Sequence, residues 1–386
     1  MTAFALYRLP HDHQVTLVQQ LEGDLLQLTS LSALNGRQGF VVAPFAIGDE
    51  QPLLLIRADR VTQCPLEQLP SLACYYNRNA GKAGDRSTYA VDFANFHAHL
   101  LSGEFHKLVL ARSVCDARPA EADPLLLFRC ACQHYPRLFI CLVSTPQSGT
   151  WLMATPEVLL SGAGTQWHTM ALAGTMKLEG EQLAFDTALP QDSLHIAWTD
   201  KNIQEQRYVA TYITECLEQF TSDFSERGPY TVRAGNLVHL RSDFRFTLPD
   251  ADHLGDVLQV LHPTPAVCGL PKHHSFDFIL ANEHAPRRYY SGFMGPLNLS
   301  PSEPPCCPPR GTLIPKAQPK PPLGEVWRGL LPSTHLFVSL RCMELLDDAC
   351  ILYAGGGLLP DSVEEQEWQE TEAKMETMRQ LLVHSS

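Results

Sequence analysis

A lysine and several glutamates stand where simple packing would not put them. Lys107 opens the run KLVLARS, whose alternation reads as a strand with Lys107, Val109 and Ala111 on one face. A strand lysine is ordinarily exposed or at an edge. Glu157 directly follows a predicted strand, in Ala154-Thr155-Pro156-Glu157, a place for a functional group and equally for an ordinary turn acid. Glu205 lies four residues before Val209, on a stripe that continues through Ile213, Cys216, Leu217 and Phe220. A carboxylate there costs free energy unless it is paired, metal-bound or reaches water. Glu367, Glu370 and Lys374 share one helical face at i, i+3 and i+7. A solvated charged stripe is the plain alternative, weakened by Trp368 beside them. Upstream, Gly355-Gly356-Gly357 after a strand either leaves backbone N–H groups open to an anion or makes a turn. The loop Leu261–Gly269, with Pro263 and Pro265, is rigid enough to hold polar groups against a ligand.

The elements that would position these groups follow from periodicity. The pattern predicts a helix over Asp200–Phe220 with Thr199 as its cap, a second over Ser362–Leu382 with acids in its first turn, and a third over Tyr89–Leu101. Strands are predicted at Lys107–Ser113, Phe139–Ser144, Thr150–Ala154, Thr169–Met176, Phe337–Leu340 and Ile351–Tyr353, with short strands among residues 1–70. Nine prolines between Pro301 and Pro322 exclude helix or central strand there and predict an extended surface excursion.

Composition narrows the class. The 386 residues are 45% apolar and 18% charged, an ordinary globular balance. A net charge of −13 argues against a nucleic-acid backbone or an anionic membrane as partner. No apolar run is long enough to span a bilayer, and the start lacks a signal-peptide pattern. The twelve cysteines show no CxxC pair and no zinc spacing, which predicts reduced thiols and a cytoplasmic protein. His97 and His99, or His273 and His274, lack partners at zinc-ligand spacing.

In order along the chain, KLVLARS, ATPEVLL, ALAGT, His239-Leu240, LHPTPAVCGLP, YYSGFMG, SLRCM and YAGGGLLPDSVEEQEWQETEAK resemble the chorismate-utilising enzymes. That family includes the anthranilate, aminodeoxychorismate, isochorismate and salicylate synthases. The strings cover about residues 104–384; residues 1–100 match weakly. The resemblance implies an α+β fold of two packed, largely antiparallel sheets with outer helices, and one unit over 1–386 with a proline-rich insertion at 299–330.

It also implies roles. Glu205 and Glu370 would be Mg²⁺ ligands, with Glu367 near the ion. Gly355, Gly356, Gly357 and Lys374 would hold one carboxylate of chorismate, and Arg341 and Tyr290 another. Lys107 would be the base that activates water, and Glu157 the acid that protonates the departing ring hydroxyl. Thr175, His239 and Thr264 would line the ring. Ala173 stands where the aminodeoxychorismate branch carries a lysine nucleophile, and HPTPAV is the isochorismate and salicylate synthase pattern. Water rather than ammonia is therefore the expected nucleophile, with no glutamine amidotransferase partner. The expected activity is a Mg²⁺-dependent isochorismate synthase, an isomerase of menaquinone or siderophore biosynthesis, expected as a monomer. The rivals are a salicylate synthase and a non-catalytic chorismate sensor. Asn202, Gln206 and Cys268 depart from the family pattern.

Overall fold

The computed structural model describes residues 2–76, 85–178, 196–234, 237–300 and 331–383. The proline-rich segment beyond residue 300, with Cys306 and Cys307, lies outside the described residues.

In chain order the strands are β1 (Ala3–Arg8), β2 (Gln14–Gln20), β3 (Leu26–Leu28), β4 (Gly39–Ala43), β5 (Leu53–Ile56), β6 (Arg60–Pro65), β7 (Lys107–Ala117), β8 (Phe139–Thr145) and β9 (Gly149–Thr155). They continue as β10 (Val158–Ala163), β11 (Gln166–Lys177), β12 (Phe224–Ala234), β13 (Leu237–Thr247), β14 (Gly269–Leu270), β15 (Phe293–Leu297), β16 (Ser333–Val338), β17 (Cys342–Leu345) and β18 (Ala349–Leu358). The helices are α1 (Arg86–Leu101), α2 (Pro124–His134), α3 (Asp200–Leu217), α4 (Leu254–Leu261), α5 (Lys272–Asn282) and α6 (Glu364–Val383).

The strands form two nine-stranded sheets, ordered β14-β7-β18-β17-β9-β8-β1-β2-β6 and β12-β13-β11-β10-β16-β15-β4-β5-β3. The pairing is antiparallel wherever it is described. Period-2 alternation sends the two faces of each strand to different cores. In β8, Phe139, Cys141 and Val143 meet the other sheet, and Ile140 and Leu142 meet α2 and α6. Phe139 stacks on Phe337 across the sheets, ring centroids 4.1 Å apart. The second sheet turns Ala171 and Phe244 outward onto Val209 and Ile213 of α3 and onto α4. Burial on both faces explains why these strands read as nearly continuous apolar runs.

Thr199 caps α3 as read, accepting from the Asn202 amide at 3.2 Å. The ten cysteines among the described residues are unpaired. No described helix is long and apolar enough to cross a membrane.

Two expectations needed correction. Gly355, Gly356 and Gly357 do not follow a strand; they lie within β18, paired with Ala111, Leu110 and Val109 of β7. The strand expected at Phe337–Leu340 runs instead over Ser333–Val338. The chain leaves the sheet before Arg341, which adopts φ +47°.

Residues before 100 supply β1, β2 and β6 to one sheet and β3, β4 and β5 to the other. A chain beginning at residue 104 would therefore expose the edges of β8 and β15. It is expected to show no cooperative thermal transition by circular dichroism. A stable fragment of that kind from limited proteolysis would show that the two parts fold separately.

Candidate active site

β7 and β18 of one sheet face β11 and β13 of the other across a cavity. α3 and α6 each deliver side chains into it. The lysine that opens β7 is wholly buried. Its Nζ lies 2.9 Å from Glu205 Oε1, reaching in from α3. The room for this pair comes from Gly357. A Cβ there would overlap the Glu205 carboxylate and lie 2.9 Å from Lys107 Cε. Gly355 is bare for the same reason: a Cβ would stand 2.9 Å from the Tyr290 hydroxyl. On the opposite face of β18, a Cβ on Gly356 would lie 3.3 Å from Glu367 Oε2 and 3.8 Å from Glu370 Oε1. Gly357 and Gly355 are thus required by the carboxylate and the phenol packed against them, not by a turn, while Gly356 is only crowded.

α6 is held on β7 by Arg112. Its guanidinium lies 3.6 Å from the Trp368 ring centroid, and its Nε donates to Thr371 Oγ1 at 2.7 Å. On that helix Glu370 pairs with Lys374 at 2.7 Å, and Lys374 Nζ also donates to the Gly355 carbonyl at 2.8 Å. Glu367 is ion-paired with Lys201 of α3, yet its Oε2 is buried without a hydrogen-bond partner. Burial and the neighbouring Glu370 raise the Glu367 pKa, against the pull of Lys201. Burial also opposes ionisation of Glu205, but Lys107, Lys201 and Lys374 together outweigh it and lower its pKa. Each carboxylate expected at a metal therefore faces a lysine. Among the described residues no three His, Cys, Asp or Glu side chains converge as a ready ion site.

Across the cavity sits Glu157, 2% exposed. Burial pushes its carboxyl up to about 8, although Lys107, Arg341 and Lys374 all favour its anion. It is thus a proton donor at neutral pH. Arg341 is also buried, which lowers its pKa to about 10 and leaves it cationic. One guanidinium nitrogen donates to His239 Nε2, and Nη1 has no partner. An unsatisfied buried guanidinium nitrogen is a place for a carboxylate. Burial, then Arg341 and Lys374, drive the His239 pKa well below its usual value. The ring is neutral, accepting from Arg341 at Nε2 and donating from Nδ1 to the Gly174 carbonyl at 3.2 Å. At Gly174, φ +69°, the β11–β13 register shifts, and this bulge turns Thr175 into the cavity beside His239.

The structure thus brings Glu157, Thr175, Glu205, His239, Tyr290, Arg341, Gly355, Gly357 and Lys374 to one cavity, with Lys107 ion-paired to its wall at Glu205. Gly356, Glu367 and Glu370 lie behind β18 rather than at this wall. Thr264 is not at the wall either. Its loop presents Ala266 and Val267 instead, and its hydroxyl is buried without a partner. Sequence reasoning did not single out Lys201. Its spacing, four residues before Glu205 on a predicted helix, was the available signal. Nor did it find the buried Glu283–Arg287 pair, whose members both lie just beyond the end of α5.

A family model described as a chorismate binding enzyme matches residues 62–302 and 327–383. The chain is 29% identical over 290 residues to isochorismate synthase DhbC of Bacillus subtilis, covering 73% of this chain and 64% of that protein. It is 28% identical over 322 residues to the salicylate biosynthesis isochorismate synthase of Pseudomonas aeruginosa, covering 82% of this chain and 59% of that one. The chain therefore spans about three fifths of the length of these relatives. Among solved structures, the putative 2,3-dihydroxybenzoate-specific isochorismate synthase DhbC of Bacillus anthracis has a TM-score of 0.73 at 20% identity, covering 98% of this chain and 96% of that chain. Anthranilate synthase component I of Streptococcus pneumoniae has a TM-score of 0.65 at 15% identity, covering 98% and 90%. These structural likenesses establish a shared fold of two antiparallel sheets with helices outside.

Proposed function

The chain belongs to the chorismate-binding enzyme family, and on that premise we propose that it is a Mg²⁺-dependent isochorismate synthase. The observation that carries this reading is Glu157: a carboxyl held protonated near neutral pH, in one cavity with a carboxylate-seeking Arg341 and the Lys107–Glu205 pair. A binding module would have no use for a buried acid with so displaced a pKa.

The ring rearrangement needs three things of the chain. Arg341, with an unpartnered Nη1, holds a substrate carboxylate, and neutral His239 fixes the guanidinium plane. Lys107, once its ammonium has given up a proton, accepts one from water as the oxygen bonds to the ring. Glu157 gives a proton to the departing hydroxyl as the ring double bonds shift. One water enters and one leaves, so no oxidant, ammonia or second substrate is consumed.

Glu205, Glu367 and Glu370 all lie close enough to favour the Lys201 ammonium, and a Mg²⁺ taking the place of that charge would be held by them. Their oxygens suit a hard cation, and Glu367 Oε2, buried beside Glu370 without a partner, is the oxygen a cation would satisfy. Bound there, the ion would supply charge neutralisation for a substrate carboxylate. By the family resemblance, Asn202 stands where an acid is common, three residues before Glu205.

The test is chromatography and mass analysis of products from chorismate with Mg²⁺, with and without ammonium. Isochorismate in both conditions, lost on chelation with EDTA, is expected. Salicylate and pyruvate would extend the same site to a second elimination, and an aminated product would overturn water as nucleophile. Bound but unchanged chorismate would make the protein a sensor. The product is proposed to feed menaquinone or siderophore assembly in a cytoplasmic enzyme; in support, the Bacillus anthracis structure is named 2,3-dihydroxybenzoate-specific and one from Escherichia coli menaquinone-specific.

A further inference from the structure

The cavity wall is assembled from three chain segments, two of which meet in a two-residue strand pairing, Gly269 and Leu270 of β14 against Leu108 and Lys107 of β7. The three are β7 with Val109, the loop after α4 with Ala266 and Val267, and the turn that delivers Tyr290. One buried ion pair touches all three. Arg287 and Glu283 have side chains only 3% and 4% exposed, and Arg287 Nε donates to Glu283 Oε2 at 2.6 Å. From there Arg287 Nη1 donates to the Val267 carbonyl at 2.6 Å, and Nη2 to the Val109 carbonyl at 2.7 Å. Glu283 Oε1 accepts the Ala111 amide at 2.6 Å. The Arg287 carbonyl itself accepts the Tyr290 amide at 2.9 Å, closing the turn that aims the phenol. The guanidinium packs over Phe45, 4.3 Å from the ring centroid.

A buried ion pair is weak evidence for stability, since desolvation of both ions offsets their attraction. Geometry is what a planar, five-donor fork supplies and an apolar pair cannot. We infer that Glu283 and Arg287 are positioning residues: beside the short β14–β7 pairing, the pair ties Val109 of β7 to Val267 and to the Tyr290 turn, and so sets the placement of Lys107 against the ring. This rests on the synthase reading. Neither residue reaches the cavity, so the pair acts through the backbone of Val109, Val267 and Tyr290. Val109 lies two residues beyond Lys107 on the same strand face. Slack there moves the lysine while leaving the carboxylate contacts of Arg341 in place. A misplacement of about 1 Å at reacting atoms costs on the order of 100-fold in rate.

Arg287→Lys keeps the charge opposite Glu283 but cannot donate to both carbonyls in the same plane. It is expected to keep a cooperative melt, to lower kcat at least about tenfold, and to change KM less than about threefold. Glu283→Gln preserves size and is expected to lower kcat in the same sense, should the lysine variant not fold. Hydrogen exchange read by mass spectrometry supplies a measurement independent of turnover: the Ala111 and Val267–Cys268 amides are expected to exchange faster in both variants. If wild-type protein leaves chorismate unchanged, the synthase reading fails, and the exchange arm alone decides the clamp. A folded Arg287→Lys or Glu283→Gln protein with wild-type kcat, or with wild-type exchange at these amides, would overturn it.

Discussion

Glu157→Gln is expected to lower turnover of chorismate by roughly 10²- to 10⁴-fold, the range for losing a positioned proton donor, and at the same time to stabilise the folded protein in alkali. The two effects share one cause. Burial holds the native carboxyl near 8, while its ordinary value is 4.5. The folded state therefore keeps a proton that the unfolded chain has released. Below about 4.5 both states are protonated, and the group does not change stability. As pH rises from about 4.5 to 8 the unfolded chain ionises freely and the native one does not, so stability falls. Above about 8 the loss is complete, on the order of 5 kcal/mol at about 1.4 kcal/mol per pH unit. Glutamine carries no charge in either state and is free of this loss. Urea unfolding at pH 6 and pH 9 should show the variant gaining on wild type at the higher pH. The wild-type rate should fall through pH 8 as the acid is lost. A variant no more stable than wild type at pH 9 would mean that Glu157 is not held protonated by burial.

This tension between stability and chemistry explains what could be read from the sequence. Glu205 was legible because a carboxylate on the apolar stripe of α3 violates the pattern of its own helix. Lys107 was visible only as a lysine in a strand. Its complete burial depends on the partner sheet and on α3, which no local pattern encodes. The ends of α3 and α6 were close because caps and periodicity are local. The three glycines were misplaced because a glycine run looks the same whether it turns the chain or clears space. Here they continue β18 past the end of β17, with side chains from α3, α6 and the Tyr290 turn filling the space. Arg341 was recognisable only by likeness, since its αL backbone and its bond to His239 arise where the two sheets meet. The Glu283–Arg287 pair was hidden for a related reason. Its spacing is that of a helical i,i+4 pair, but α5 stops at Asn282, and the partners are carbonyls distant in sequence.

The same glycines give the second large effect. Gly357→Ala is expected to lower kcat by about 100-fold or more while leaving the fold intact. The added methyl would meet the end of the Glu205 side chain and Lys107 Cε, both flexible ends rather than backbone. Such ends can turn aside, and an alanine in β18 needs no unusual φ, because Gly357 is not among the positive-φ residues. The cost therefore falls on the pair rather than on the strand. Glu205 and Lys107 cannot both keep their 2.9 Å contact with a methyl between them. Gly356→Ala is the matched control on the other face. Its methyl would approach Glu367 Oε2 to 3.3 Å, a crowding relieved by a shift of a few tenths of an ångström. That variant should keep most of its maximal rate and need more Mg²⁺ to reach half of it, since Glu367 belongs to the carboxylate group proposed to hold the ion. Steady-state rates against chorismate and against Mg²⁺ for both variants separate the faces. Equal losses in the two would mean that β18 merely dislikes side chains there. A large loss at 357 with only a shifted Mg²⁺ requirement at 356 would separate loss of the Lys107–Glu205 contact from weaker cation binding at Glu367.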